Sequence, residues 1–202
     1  MIVIGVPVDK NFTIDVRTAA YCSAESMRPD VKWGYASSRD AGVGRSSFAH
    51  QALKDPAVTH LYFMDSDVVP PEGTLKKLVD YDLPIVAGIY PMMANGLVWS
   101  FKTGDWWKSA REPLGDKLIK ATAIGGSTLL IKREVLEKLG KSPFKIIYKD
   151  IDDNGKCFDE GEDEYFSRIA IEAGYDIMVD PTIVCDHFNY KSLFSMVGNG
   201  YN

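Results

Sequence analysis

Leu61-Tyr62-Phe63-Met64-Asp65-Ser66-Asp67 is a short apolar run that stops at two carboxylates. Such a run predicts a buried strand. Its abrupt end places the acids at the C-terminal edge of a sheet, where open α/β folds bind ligands. Val68-Val69-Pro70-Pro71 then turns the chain away. Two carboxylates this close repel each other when both are ionised, and a divalent cation with hard oxygen ligands is the natural way to hold them. On its own an Asp-x-Asp is as readily a solvated loop, because so short a pattern recurs by chance. The rest of the chain decides between the two.

The 202 residues, 46% hydrophobic and 25% charged, suit one globular domain with a sizeable core. A formal net charge of -5 offers no basic surface for a phosphate backbone, so nucleic-acid binding is not expected. No apolar run approaches the roughly 20 residues of a membrane span. Met1-Ile2-Val3-Ile4-Gly5 lacks the basic start of a signal peptide, and the cytoplasm is the expected location. Cys22, Cys157 and Cys185 are odd in number and without a C-x-x-C pair, which fits neither a disulfide framework nor a thiolate zinc site.

Outward from the acids, strand and helix signals alternate. Ile2 to Pro7 reads as a first buried strand, Thr13 to Met27 as a helix and Val31 to Ala36 as a second strand. Ser37 to Gly44 is small and Gly-rich and predicts a loop; Arg45 to Lys54 predicts a helix ended by Asp55-Pro56. Thr59 to Met64 is the third strand. A helix follows from Pro71, with proline in its first turn, and then a strand from Pro84 to Tyr90. This order predicts a mixed, mainly parallel central sheet with helices on both faces. Between Pro91 and Leu118 the pattern changes to glycines, aromatics and short alternations, read as a hairpin or loop layer over the sheet edge.

Further on, Arg133 to Leu139 predicts a short helix ended by Gly140, and Phe144 to Tyr148 a strand before the hairpin signal Asn154-Gly155. Glu162 to Ala173 predicts a helix capped by Gly174, Asp176 to Asp186 a last strand pair around Pro181, and Phe188 to Asn202 a tail or flap. Asp150 to Asn154 begins like a calcium loop, but its twelfth position is Gly161, so calcium is rejected there.

Three other features bear on chemistry. Glu160-Gly161-Glu162-Asp163-Glu164 gathers acids at a helix start, either to complement the helix dipole or to present a general base. His187 ends a strand beside Asp186 and is either a packed residue or a metal ligand; His50 and His60 read as structural. Trp99, Trp106 and Trp107 either pack in the protein or offer flat apolar faces to a ligand.

The order of these parts resembles the glycosyltransferases of the GT-A fold, especially the large inverting family that includes cellulose-synthase-like and spore-coat enzymes. It runs from a Pro-ended first strand through Arg45, the Asp65-Ser66-Asp67 strand end, Gly125-Gly126-x-x-Leu-Leu-Ile-x-Arg133, and Glu162-Asp163 with Phe166 and Arg168, to His187. The resemblance implies a single GT-A domain over 1-202, with a nucleotide- and metal-binding half at 1-95 and an acceptor and catalytic half at 96-187. It implies that Asp67, Asp65 and His187 bind Mn2+ or Mg2+, and that Pro7, Val8 and Asp9 border the base. Arg45 would face the acids or the diphosphate, Ser66 would sit with the donor, and Gly125 and Gly126 would leave room for donor sugar or acceptor. Asp163, with Glu162 beside it, would be the catalytic base. The chain departs from the family in having Val8-Asp9 where Tyr-Asn is usual and Arg45-Ser46 where Arg-Asn is usual.

The expected activity is transfer of a sugar from a nucleotide donor, a uridine diphosphate sugar, to a hydroxyl of a glycan, lipid-linked or protein acceptor, with inversion. A retaining transferase on the same fold, a nucleotidyltransferase and a non-catalytic sugar-nucleotide binding module are the alternatives. The nucleotidyltransferases share a Gly-rich, Arg-containing loop after the first strand, where this chain has Asp9-Lys10-Asn11.

Overall fold

In β1 (Ile2–Val8) the side chains of Ile2, Ile4, Val6 and Val8 enter one apolar cluster and Val3 packs against another, so the strand is covered on both faces. In the computed structural model, which describes residues 1–11, 13–38, 40–94, 96–151 and 157–188, it leads to α1 (Val16–Glu25), β2 (Val31–Ser37), α2 (Ala41–Lys54) and β3 (His60–Phe63). β1 pairs in parallel with both β2 and β3. The chain therefore steps to one side of β1 and returns to the other. Helix α1 buries Cys22 with Ile2 and Ile4, and α2 buries Ala49 and Ala52 with Leu61 and Phe63 on the opposite face. Such a reversal is a topological switch point, and ligands bind in the crevice beyond the C-terminal ends of its strands.

The chain continues through β4 (Val68–Val69), α3 (Thr74–Asp80), β5 (Ile85–Ile89), β6 (Pro91–Ala94), β7 (Gly96–Thr103), β8 (Trp106–Ser109), β9 (Ile119–Ala121) and β10 (Ala123–Ile124). It ends in β11 (Leu129–Lys132), α4 (Arg133–Leu139), β12 (Ile147–Ile151), β13 (Cys157–Glu160), α5 (Glu162–Glu172), β14 (Ile177–Val184) and β15 (Asp186–His187). The main sheet has the order β2-β1-β3-β11-β5-β14-β9. Strand β11 is antiparallel to both its neighbours and β9 to β14, while the other five strands share one direction. The mixed, mainly parallel sheet with helices on both faces is as expected. Among the described residues no helix is long and apolar enough to cross a membrane.

Local departures from the sequence reading have physical causes. Helix α2 starts at Ala41, four residues early, because Asp40 caps it by accepting the Val43 N–H at 2.8 Å. The helix carries glycines where neighbours leave no room for a side chain: a Cβ on Gly42 would lie 2.9 Å from Glu162 Cβ, and one on Gly44 3.1 Å from Pro7 Cβ. Pro71 is not in a helix; α3 begins at Thr74 after Gly73, whose φ is 79°. The segment after Pro91 is a second sheet, with β7 paired to β6, β8 and β10, all antiparallel. Phe144 joins the core instead of a strand, stacked on Phe166 at 4.7 Å and edge-on to Phe63 at 5.1 Å. One strand, β14, runs through Pro181, and its register shifts between Val179 and Val184, where proline lacks a ladder donor. The Asn154-Gly155 turn and residues 189–202 lie outside the described residues.

The Phe63, Phe144 and Phe166 cluster ties α5 to the sheet. Phe166→Ala is expected to cost about 3–5 kcal/mol, read as a lowered denaturant midpoint with unchanged slope.

Candidate functional site

Met64 and Tyr62 anchor the end of β3 in one apolar cluster and Phe63 anchors it in the other, which fixes where Asp65 emerges. The Asp65 N–H donates to Ser127 Oγ at 2.9 Å, and its carboxylate accepts from the Arg45 Nη2 of α2. The other arm of Arg45, Nη1, donates to Glu162 Oε1 at 2.5 Å, at the start of α5. The guanidinium is only 3% exposed. Burial acts to lower its pKa, but the charges of Asp65 and Glu162 raise it above the ordinary arginine value. Burial raises the pKa of Asp65 while Arg45 opposes that rise. One donor, Arg45 Nε, is buried without a hydrogen-bond partner among the described residues.

Asp67 meets His187 at the same edge. The two residues of β15 pair with β4, so His187 lies opposite Val68, and the Phe188 N–H donates to the Asp67 carbonyl at 2.8 Å. The imidazole stands 2.7 Å by Nδ1 from the Pro91 carbonyl, which can only accept, so Nδ1 is the donor. That leaves Nε2 facing Asp67 Oδ2, 3.6 Å away. The facing Asp67 carboxylate raises the imidazole pKa, against the opposing effect of partial burial. Ser66 shapes this turn through its backbone: its carbonyl accepts the Asp15 N–H at 2.7 Å.

Asp163 occupies the first turn of α5. Ser167 Oγ donates to the Asp163 carbonyl at 2.7 Å and accepts the Ile124 N–H at 3.2 Å, which fastens that turn to β10. The Asp163 carboxylate accepts the Glu164 N–H at 2.8 Å. Burial, with the like charge of Glu162, pushes its pKa up to about 6. Gly125 and Gly126 lie between these groups, and the space a Cβ would take is filled from within the chain. It would stand 2.2 Å from the Tyr90 hydroxyl at Gly125 and 2.3 Å from Arg45 Cζ at Gly126. Pro7, Val8 and Asp9, at the end of β1, line a cavity of about 210 Å³ with Ser38, Asp40 and Ala41. The Asp9 carboxylate is turned into its own loop, accepting the N–H groups of Asn11 and Thr13.

The predicted residues thus fall along one sheet edge, and Asp65 feels the charges of Arg45, Asp67, Glu162 and His187 together. Asp65, Asp67 and His187 do not form a closed ligand set. Among the described residues no three His, Cys, Asp or Glu side chains converge as a metal cluster, because Asp65 is turned to Arg45. Asp67 and His187 face each other there as a carboxylate oxygen and an imidazole nitrogen, 3.6 Å apart. That pairing suits a borderline divalent ion whose other positions are completed by water or phosphate oxygens. The sequence reading passed over Tyr90, Ser127 and Thr128. Thr128 has φ 54°, a left-handed backbone that a β-branched residue seldom adopts, next to the serine that holds Asp65.

No family model and no curated protein sequence matches the chain. Among solved structures it is similar to A197 from STIV, with a TM-score of 0.65 and 21% identity over 93% of this chain and 85% of that one. It is also similar to GalNAc-T7, solved with UDP, GalNAc and Mn2+, with a TM-score of 0.52 and 13% identity. That match covers 93% of this chain and 43% of the other. At these identities the likeness is one of fold: the chain has a GT-A, Rossmann-like architecture.

Asp163 is expected to titrate with a midpoint near 6 when its carboxyl is followed by carbon-13 NMR. Since this folded-state value exceeds the ordinary 3.8 of the unfolded chain, the protonated group favours folding at low pH, and that gain is lost as pH rises through about 6. Asp163→Asn should therefore raise Tm at pH 8 and leave it nearly unchanged at pH 4. Gly126→Ala should cost about 1–3 kcal/mol, measured by denaturant unfolding, because a guanidinium held at both arms cannot move aside.

Proposed function

We propose that the protein is a divalent-metal-dependent glycosyltransferase that moves a sugar from a uridine diphosphate sugar to an acceptor hydroxyl, with inversion. One observation carries the reading: a metal-suited pair, Asp67 and His187, shares a sheet edge with an elevated, rigidly mounted carboxylate, Asp163. Asp67 and His187 would hold the ion, which supplies Lewis acidity to the departing diphosphate. The cavity at Pro7, Val8 and Asp9, beyond the ends of β1 and β2, would take the base.

In the transfer, the acceptor oxygen bonds to the anomeric carbon as the bond from that carbon to the diphosphate oxygen breaks. Asp163 accepts the hydroxyl proton. A pKa near 6 leaves it mostly ionised at neutral pH while keeping it a stronger base than an ordinary aspartate. Glu162 is held off this task by Arg45, whose guanidinium takes its carboxylate. Arg45 also keeps Asp65 in place, so one side chain joins the strand end to the first turn of α5.

Calorimetric titration of uridine diphosphate with manganese should show binding that falls more than about 10-fold in Asp67→Ala and His187→Ala and disappears with chelator. Asp163→Asn should keep that binding and lose transfer. Wild-type turnover in Asp163→Asn would remove it as the base. An anomeric proton signal of unchanged configuration in the fresh product would rule out inversion.

A further inference from the structure

The second sheet carries a cleft of about 430 Å³, bounded by Leu97 and Val98 of β7, Trp106, Trp107 and Ser109 of β8, and Arg111 just beyond. Its volume lies within the range of small-molecule sites. Trp106 is 80% exposed, although a large indole is ordinarily buried. The β7–β8 register shifts between Val98 and Lys102, which opens the ladder beside Val98 in the cleft wall. The lining therefore combines indole surface with a hydroxyl and a guanidinium. That combination suits a pyranose ring, whose apolar C–H face lies on an indole while its hydroxyls meet polar donors.

Side-chain contacts link one wall of the cleft to Asp163. Lys102 and Trp107 are direct cross-strand partners, so their side chains share a face, and Lys102 Nζ stands 4.8 Å from the Trp107 ring centroid. The same ammonium lies 2.5 Å from Glu164 Oε1, and the Glu164 N–H donates to the Asp163 carboxylate. Three consecutive contacts thus lead from the indole to Asp163. The Pro7, Val8 and Asp9 cavity has a separate lining, at the end of β1.

We propose that the Trp106 and Trp107 cleft is a saccharide subsite for the acceptor, delivering its hydroxyl to Asp163 from the second sheet. This rests on the transferase reading of the site. The Lys102 bridge sets the distance between the subsite and α5, so Lys102 is a positioning residue.

The test uses the whole chain and needs no turnover. Indole N–H signals of Trp33, Trp99, Trp106 and Trp107, assigned through single Trp→Phe replacements, are followed by proton-nitrogen NMR. Methyl glycosides and disaccharides of glucose, galactose, mannose and N-acetylglucosamine are added, with and without manganese and uridine diphosphate. At least one sugar should shift the Trp106 and Trp107 signals saturably and leave Trp33 still. Trp106→Ala, at an exposed position, should weaken that sugar more than about 10-fold and leave the uridine diphosphate affinity unchanged. No response at tens of millimolar, well above the ~1 mM of a modest site, overturns the subsite, as does unaltered sugar binding in Trp106→Ala. A response to unglycosylated peptides in place of sugars also overturns it, in favour of a protein partner. Nucleotide binding without any sugar response sinks the subsite alone, whereas a sugar response without nucleotide binding confirms a saccharide cleft and sinks the transferase reading.

Discussion

A guanidinium removed from water must be met by opposite charge, and Arg45 is met from two distant parts of the chain. Asp65 is 20 residues away in sequence and Glu162 is 117. One side chain of α2 therefore joins the end of a central strand to the first turn of α5. Its neighbours are chosen to admit it. Gly126 leaves the face of the guanidinium free, and Gly42 lets α2 approach Glu162 closely enough for the second arm to reach. Losing either carboxylate would leave a buried charge half-compensated, which costs about 3–5 kcal/mol in comparable sites.

The same constraint divides labour among five acids. Asp65 and Glu162 are spent on Arg45, and Glu164 on Lys102. Asp67 faces a neutral-capable imidazole, and Asp163 is left with a backbone N–H and an environment that disfavours its charge. Acids so near one another in a fold repel unless each has its own counter-group. Here the counter-groups decide which carboxylate remains chemically available.

The strand bearing Asp65 and Asp67 was legible because both its faces are buried, so its apolar run is continuous and its end conspicuous. Helix α5 and Gly174 were legible for a different reason, a clear periodicity with a terminating glycine at φ 92°. The antiparallel insertion of β11 was not, since Leu129, Leu130 and Ile131 read alike in either direction and only pairing with Phe63 and Ala87 fixes it. The hairpin alternative for the segment after Pro91 matches the paired β6, β7 and β8, but their extent stayed open because these strands are short and half exposed, which blurs alternation. The early start of α2 was hidden by Gly42 and Gly44, which look like loop residues until Glu162 and Pro7 are seen against them. At the site, the residue types were apparent, but the turning of Asp65 toward Arg45 depended on a contact that no local pattern encodes.

His187 gains its orientation from an unexpected source. The carbonyl that fixes its ring belongs to Pro91, the first residue of β6, and β6 is hydrogen-bonded to β7 of the second sheet. The edge that faces Asp67 and the layer that carries the tryptophans are thus mechanically one piece. The pairing that holds β6 to β7 therefore also holds the ring that stands against Asp67.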